Sequence, residues 1–326
     1  MNILVVILNY RTPTLTINCL RSLVPEVQSQ PNIQVVAVDN CSGDGSVAQI
    51  QEAIKAEGWG EWASLLPLDK NGGYAFGNNA AIRPALQSSD PPDFVWLLNP
   101  DTEVRRGAMQ PLIDFLQTHP QVGIVGSRLE HPNGTPQRSA FRFQTLMSQF
   151  EGGLRWGLVS KLLARWMVAP PVSNSPCATD WIPGASMMVR REVFEQAGLL
   201  DEGYFLYYED EDFCLQAKRA GWSCWYEPQS RVVHLVGQSS GITDTKITPK
   251  RRPQYWFDAR HRYYVKNYGW LYAALVDGAW IVSLTLWRWR RTLERKPILD
   301  PPRFLFDSIR NSVFLYSFQN AKPGKS

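Results

Sequence analysis

The chain is poor in the two residue types that build metal clusters and covalent frameworks. Its five cysteines (Cys19, Cys41, Cys177, Cys214, Cys224) are odd in number and include no CxxC pair. That excludes a disulfide scaffold and predicts reduced thiols in a cytosolic setting. Four histidines scattered over 326 residues argue against a zinc site. There is no internal repeat, low-complexity tract or flexible linker, since the 23 Gly and 23 Pro are spread along the chain. A basic leader is also missing: Met1-Asn2-Ile3 begins an apolar run at once, which ends at Asn9 and reads as a strand rather than a secretion signal. The string Gly72-Gly73-Tyr74-Ala75-Phe76-Gly77 lacks the spacing of a dinucleotide fingerprint, which argues against NAD.

What is present suits a folded protein with a sizeable core, at 44% hydrophobic and 20% charged residues. The length allows one large or two modest domains. The net charge of +4 conceals an asymmetry. From Lys246 onward sixteen Lys and Arg face five Asp and Glu, a net +11, which leaves the rest at −7. An acidic body with a basic tail predicts that the tail meets an anionic partner, either nucleic acid or a membrane surface.

The first half alternates strand and helix. Ile3–Leu8 is a continuous apolar run of the kind buried on both faces of a parallel sheet, and Ile33–Val38 reads as a second buried strand. Thr12-Pro13 opens a helix to about Leu23, with Pro tolerated in the first turn. A second helix runs to about Ala56, a short strand covers Ser64–Leu68, and a helix covers Tyr74–Leu86. Asp93–Leu98 and Val122–Val125 are further strands, with Ala108–Thr118 a helix between them. This alternation predicts a doubly wound, mostly parallel α/β sheet flanked by helices. Beyond Ser127 the pattern loosens: a turn at His131–Thr135, a helical stretch Gln144–Met167, strands Ala185–Val189 and Trp222–Tyr226, and a helix Glu209–Ala220.

Three loops follow the ends of parallel strands, where open α/β sheets bind ligands: Asn9-Tyr10-Arg11, Asp39-Asn40 and Asn99-Pro100-Asp101. Asp101 there suits a divalent cation and through it a diphosphate, although Asn-Pro-Asp reads equally as a turn. Asp39 suits a nucleobase or ribose, or else caps the following helix. Gly72-Gly73 permits close backbone approach to a ligand, or a tight turn. The run Glu209-Asp210-Glu211-Asp212 opens a helix, where carboxylates are favoured. Crowding four of them raises the proton affinity of at least one, as a general base requires.

These residues together resemble family 2 glycosyltransferases of the GT-A fold, in the rhamnosyltransferase-like subgroup. The resemblance rests on Asn9-Tyr10-Arg11, Val38 to Ser46, Asn71-Gly72-Gly73-Tyr74-Ala75-Phe76-Gly77-Asn78-Asn79, Leu98-Asn99-Pro100-Asp101, Gly184-Ala185-Ser186-Met187 and Glu209 to Cys214, and it spans roughly residues 1 to 240. It implies a catalytic domain over 1–240 and a C-terminal helical, apolar and basic extension over 241–326. It implies Asp210 as catalytic base, and Asp101 with His234 at a Mg²⁺ or Mn²⁺ ion. Asn9, Arg11, Asp39, Asn71, Gly72, Gly73, Asn78 and Asn99 would line the donor, with Asp39 on its base. Glu209 and Asp212 would face the acceptor.

The expected reaction is inverting, metal-dependent transfer of a sugar from a nucleoside-diphosphate sugar to a saccharide or lipid-linked saccharide, in surface polysaccharide synthesis. The subgroup's name points to dTDP-rhamnose. The alternatives are a sugar-phosphate nucleotidyltransferase, or a catalytically silent sugar-nucleotide binder or membrane scaffold. The first would normally need a glycine-rich loop after the first strand, and Asn9-Tyr10-Arg11 is not one.

Residues Trp270–Trp289 form an apolar stretch about as long as a bilayer core is thick, with Trp at both ends and Arg288, Arg290, Arg291, Arg295 and Lys296 at its close. Asp277 near its middle would cost roughly 3 kcal/mol on insertion. The stretch is read as membrane-associating at the inner face of the cell membrane, or as a helix packed on the catalytic domain. The basic-aromatic segment Arg260 to Lys266 is assigned to diphosphate rather than nucleic acid.

Overall fold

The computed structural model describes residues 1–30, 32–235 and 250–315. Its strands are β1 (Ile3–Asn9), β2 (Ile33–Asp39), β3 (Ala63–Pro67), β4 (Phe94–Leu98), β5 (Thr102–Val104), β6 (Val122–Glu130), β7 (Cys177–Thr179), β8 (Ser186–Arg190) and β9 (Ser223–His234). Its helices are α1 (Pro13–Ser29), α2 (Ser46–Ala56), α3 (Tyr74–Leu86), α4 (Met109–Thr118), α5 (Leu146–Leu154), α6 (Gly157–Leu162), α7 (Arg191–Ala197), α8 (Glu209–Arg219), α9 (Gln254–Leu293) and α10 (Phe304–Arg310). The chain divides into two units, one of residues 1–141, 171–205 and 209–243, the other of 142–170, 206–208 and 244–326. A single cut at residue 240 does not describe this division, because α5 packs with α9 inside the second unit.

The first unit is the expected α/β sheet flanked by helices. Its strand order is β3-β2-β1-β4-β8-β6-β9-β5, with β7 also on β9. The pairings β1–β2, β1–β4, β2–β3 and β6–β9 are parallel. Strands β5, β7 and β8 run against their neighbours, so six of the nine described strands point one way. Every residue of β1 and β4 is buried, as strands covered by helices on both faces must be. Strand β3 lies at the edge, where Pro67 forfeits no interior ladder bond.

Three local expectations differ from the structure for tertiary reasons. Helix α1 runs on through Pro25 to Ser29 rather than stopping near Leu23. Its last turns are anchored by Glu26, a buried carboxylate that accepts from the backbone N–H of Gly107 (2.6 Å) and Met109 (2.9 Å) and so caps α4. Strand β8 is inserted antiparallel between β4 and β6. A buried polar relay helps fix it: Trp96 Nε1 donates to Ser186 Oγ (3.0 Å), Ser186 bonds Ser127 (2.7 Å), and Ser127 bonds Ser230 (2.7 Å). Strand β9 continues to His234, well past Tyr226, because it also pairs with the short strand β5.

The second unit is helical. The stretch 144–167 breaks into α5, α6 and a short 3-10 turn at Ala164–Trp166. Helix α5 opens with a reciprocal cap between Thr145 and Ser148. Helix α9 begins at Gln254, far upstream of the apolar stretch, and is interrupted at Gly269, whose φ of 83° lies in the left-handed region. Its second half is long and apolar enough for one membrane span by length and composition. Asp277, however, is not exposed to lipid: it is buried, ion-paired with Arg260, and accepts from the Val313 N–H (2.8 Å). Gln149 on α5 accepts from the same Arg260 guanidinium (3.2 Å), so α5 and the chain after α10 both help to satisfy the pair.

Candidate active site

Strands β1, β2 and β4 are parallel and end on one rim, which is where the candidate residues gather. Asp39 closes β2 opposite Asn9 on β1. Its buried carboxylate accepts from Asn9 Nδ2 (2.6 Å), Ser42 Oγ (2.6 Å) and the Ser42 N–H (2.9 Å). Asn9 Oδ1 in turn accepts from Thr12 and Thr16 at the start of α1. The side chain of Asn9 is therefore used up in holding Asp39 and α1. It can shape a donor site but is not exposed to one.

Arg11 sits beside this pair with φ of 57°, a conformation rare outside glycine. Its backbone N–H donates to Ser42 Oγ (2.9 Å) and its Nε to the Ser42 carbonyl (3.0 Å). The exposed guanidinium lies over Tyr10, 5.2 Å from the ring centre. Asn40 ties this loop to the next: its Nδ2 donates to Asn71 Oδ1 (2.9 Å) and to the Gly73 carbonyl (3.1 Å). Asn71 Oδ1 also accepts the Gly73 N–H (3.0 Å).

Gly73 is required twice over. Its φ is 92°, and a Cβ would overlap the carbonyl of Phe205. That carbonyl already accepts the Tyr74 N–H (2.8 Å), the first amide of α3. Gly72 is equally crowded, against the ring of Phe76. Asn78 is buried and bonds back to the Tyr74 carbonyl (2.9 Å), so its amide stabilises α3 rather than facing the rim.

Beyond β4, Asn99 is half-buried and its N–H donates to Ala185 (3.3 Å). Asp101 is buried, and His234 Nε2 stands 3.5 Å from its Oδ1. The pairing of β5 with β9 sets His234 opposite Thr102, and the Leu235 N–H donates to the Asp101 carbonyl (2.9 Å). Two residues 133 positions apart are thus brought together as expected. Val236 and Gly237, which follow His234 in the motif, lie outside the described residues. Among the described residues no group of three His, Cys, Asp or Glu is close enough to hold a metal by protein ligands alone. A carboxylate oxygen beside an imidazole nitrogen nevertheless suits a divalent cation.

The acidic run opens α8. Asp210 Oδ2 accepts the Gly184 N–H (2.9 Å), while Oδ1 is shut away from solvent with no hydrogen-bond partner among the described residues. Loss of hydration raises the Asp210 carboxyl to about 6, against the lowering effect of the Gly184 amide. Burial, and then the Asp210 charge, push neighbouring Glu209 well above the usual carboxylate range. The two carboxyls are neighbours and titrate as a pair, both held above the ordinary carboxylate range by burial. Asp212 is placed differently: buried on α8, it accepts from Tyr204 Oη (3.1 Å) inside the fold.

Two residues without an assigned role from the sequence complete the site. Tyr74 donates from Oη to the Gly184 carbonyl (3.1 Å), so both ends of residue 184 are held, one by Tyr74 and one by Asp210. A Cβ on Gly184 would overlap Tyr74 Oη and approach Asp210 Oδ1 at 2.9 Å. Burial and the surrounding charges of Asp210, Glu209 and Asp101 raise the Tyr74 phenol well above 10.0, so it stays a donor. A glycine directly before a strand was the one sequence signal of this close approach.

Residues 4–164 match the family described as Glycosyl transferase family 2. The N-acetylglucosaminyl-diphospho-decaprenol L-rhamnosyltransferase of Mycobacterium tuberculosis is 29% identical over 224 residues, 64% of this chain and 68% of that protein. The dTDP-rhamnosyl transferase RfbF of Shigella flexneri is 24% identical over 255 residues, 77% of this chain and 76% of that protein. Among solved structures, GalNAc-T7 with UDP, GalNAc and Mn²⁺ superposes with a TM-score of 0.57 at 15% identity, over 90% of this chain and 56% of that one, a likeness of fold.

Proposed function

Because the chain belongs to glycosyl transferase family 2, in its rhamnosyltransferase-like branch, we propose that it transfers a sugar from a nucleoside-diphosphate donor with inversion, using Asp210 as base. The observation that carries this is Asp210 itself. One oxygen is aimed by the Gly184 amide, the other accepts no hydrogen bond among the described residues, and the carboxyl is held at about 6. Asp210 accepts the proton of an acceptor hydroxyl as that oxygen bonds to the anomeric carbon. The bond to the nucleoside diphosphate breaks on the opposite face, and a single displacement inverts the centre. Asp39, steadied by Asn9 and Ser42, receives the nucleoside, and Arg11 with the Asn71–Gly73 turn borders the donor. Asp101 and His234 would hold a Mg²⁺ or Mn²⁺ ion, and such an ion would supply positive charge against the departing diphosphate. Glu209 faces the acceptor, and Asp212 supports the helix that carries Asp210.

The names of the two rhamnosyltransferase relatives support dTDP-rhamnose as donor and a lipid-linked saccharide as acceptor, in surface polysaccharide synthesis. Such an acceptor supports a location on the inner face of the cell membrane. The direct test is calorimetric titration with UDP, dTDP and GDP, each with and without Mn²⁺. Binding of dTDP that needs the metal is expected; no binding of any diphosphate by folded protein removes the proposal.

Transfer should also depend on pH in a stated direction. A base at about 6 must be ionised, so kcat/KM rises as pH passes through about 6 and levels off above it. The stability sign is opposite. The folded state favours the proton here, so this group's contribution is full below the ordinary value of 3.8 and is lost as pH rises through about 6. Glu209→Gln mimics the protonated acid and is expected to leave that limb in place. A limb displaced downward by a unit or more would mean that Glu209 is charged in the working enzyme.

A further inference from the structure

Beyond Gly269, helix α9 has two opposed faces. At about 100° per residue, Leu271, Leu275, Val282, Leu286, Trp289 and Leu293 fall within about 60° of one another, in a stripe about 33 Å long. All six are exposed, Leu271 at 69% and Trp289 at 63%. The other face is occupied by its own unit. Val276, Asp277 and Ser283 are buried, and Leu284 and Trp287 form a core with Phe257 and Phe304. Exposed rings extend the stripe at both ends: Phe314 meets Trp270 edge-on at 6.3 Å, and Trp156 lies 5.7 Å under the Arg290 guanidinium.

The charge around this stripe is mainly basic, with Arg288 paired to Asp300 (3.4 Å) and Arg290 to Glu294 (3.7 Å). Residues 288–300 hold Arg288, Arg290, Arg291, Arg295 and Lys296 against Glu294 and Asp300. Arg288 and Arg290 project on either side of the stripe, which itself contains no acid. An apolar strip of this length is not left in water without a partner. A basic border selects a partner that is anionic as well as apolar.

We infer that this face seats on an anionic phospholipid bilayer, with the second half of α9 lying in the membrane plane instead of crossing it. Crossing would carry the Arg260–Asp277 pair into hydrocarbon and strip Phe257 and Phe304 from their core. Lying flat buries only the exposed stripe, leaves the arginines among the headgroups, and puts Trp289 at the interface that indoles favour. The inference deepens the membrane location proposed above and rests on it for its biological sense. A flat seat would bring the enzyme to an acceptor that stays in the bilayer.

The test is flotation of the full chain with phosphatidylcholine vesicles, with and without phosphatidylglycerol. Flotation with the anionic vesicles, lost at high salt, is expected. Leu275→Glu with Val282→Glu should reduce the floated fraction about tenfold or more. Val47→Glu, an exposed apolar position on α2 of the first unit, should not change it. Unchanged thermal unfolding and nucleotide binding certify that the double variant is folded. Lipids brominated near the headgroup should quench the Trp289 emission, taken as wild type minus Trp289→Phe, more than lipids brominated at the chain ends. The reverse order means a crossing helix and overturns the flat seat. Failure of the wild type to float, or equal flotation of the double variant, overturns the face. So does a dimer in solution that the double variant breaks. Because flotation needs no turnover, a silent protein that floats upholds this inference, and an active one that never floats removes it alone.

Discussion

Asp210→Asn is expected to bind the nucleotide donor as the wild type does and to transfer sugar about 10²–10⁴-fold more slowly, the range for loss of a general base. The amide replaces one oxygen by a nitrogen of nearly the same size, and its remaining oxygen can still accept the Gly184 N–H. The site therefore keeps its shape and loses only its proton acceptor. The pH limb near 6 should vanish with it. Single-turnover transfer, beside calorimetric donor affinity, separates the two effects. Turnover within about tenfold of wild type at neutral pH would take the role from Asp210 and pass it to Glu209. Loss of donor binding would instead mark Asp210 as part of the binding site.

Asp101→Ala should show the complementary pattern. Losing an outer-sphere partner of a metal ligand already costs about 10–100-fold in metal affinity. Losing one of two protein ligands should cost about 100-fold or more, seen as a weakened Mn²⁺-dependent component of donor binding. The fold should survive, because the bond from the Leu235 N–H is to the Asp101 carbonyl and remains. Paramagnetic relaxation of Mn²⁺ reads the metal without turnover. If relaxation matches the wild type, Asp101 is not a ligand, and His234 would then be a structural neighbour of a buried acid.

Much of the fold was legible because it is local. Apolar runs marked β1, β2 and β4, and the Tyr74–Leu86 helix has the bounds its pattern predicted. Helix α1 outruns its expected end near Leu23 because of a distant anchor: Glu26 holds its last turns by capping α4. Antiparallel β8 was hidden since nothing within Ser186–Arg190 reports which strands it will join. The site divides in the same way. Residue types at the ends of parallel strands pointed to Asp39 and Asp101, and the acidic run opening a helix to Asp210, but not to how their side chains are used. Asn9 and Asn78 proved to be committed within the protein, and Asp212 to be bonded to Tyr204.

From the sequence alone came the α/β class, the rim of acids and amides, the basic and apolar C-terminal stretch, and a resemblance specific enough to name a family. Each depends on composition or short spacing, which local propensity and periodicity express directly. Tertiary structure alone decided that Gly184 is clamped between Tyr74 and Asp210 and that Asp277 is matched by Arg260. Those pairs lie 17 to 110 residues apart in the chain. Whether a carboxylate is a base, a ligand or a strut depends on how much water it loses and which donors reach it. Both follow from packing between segments distant in sequence.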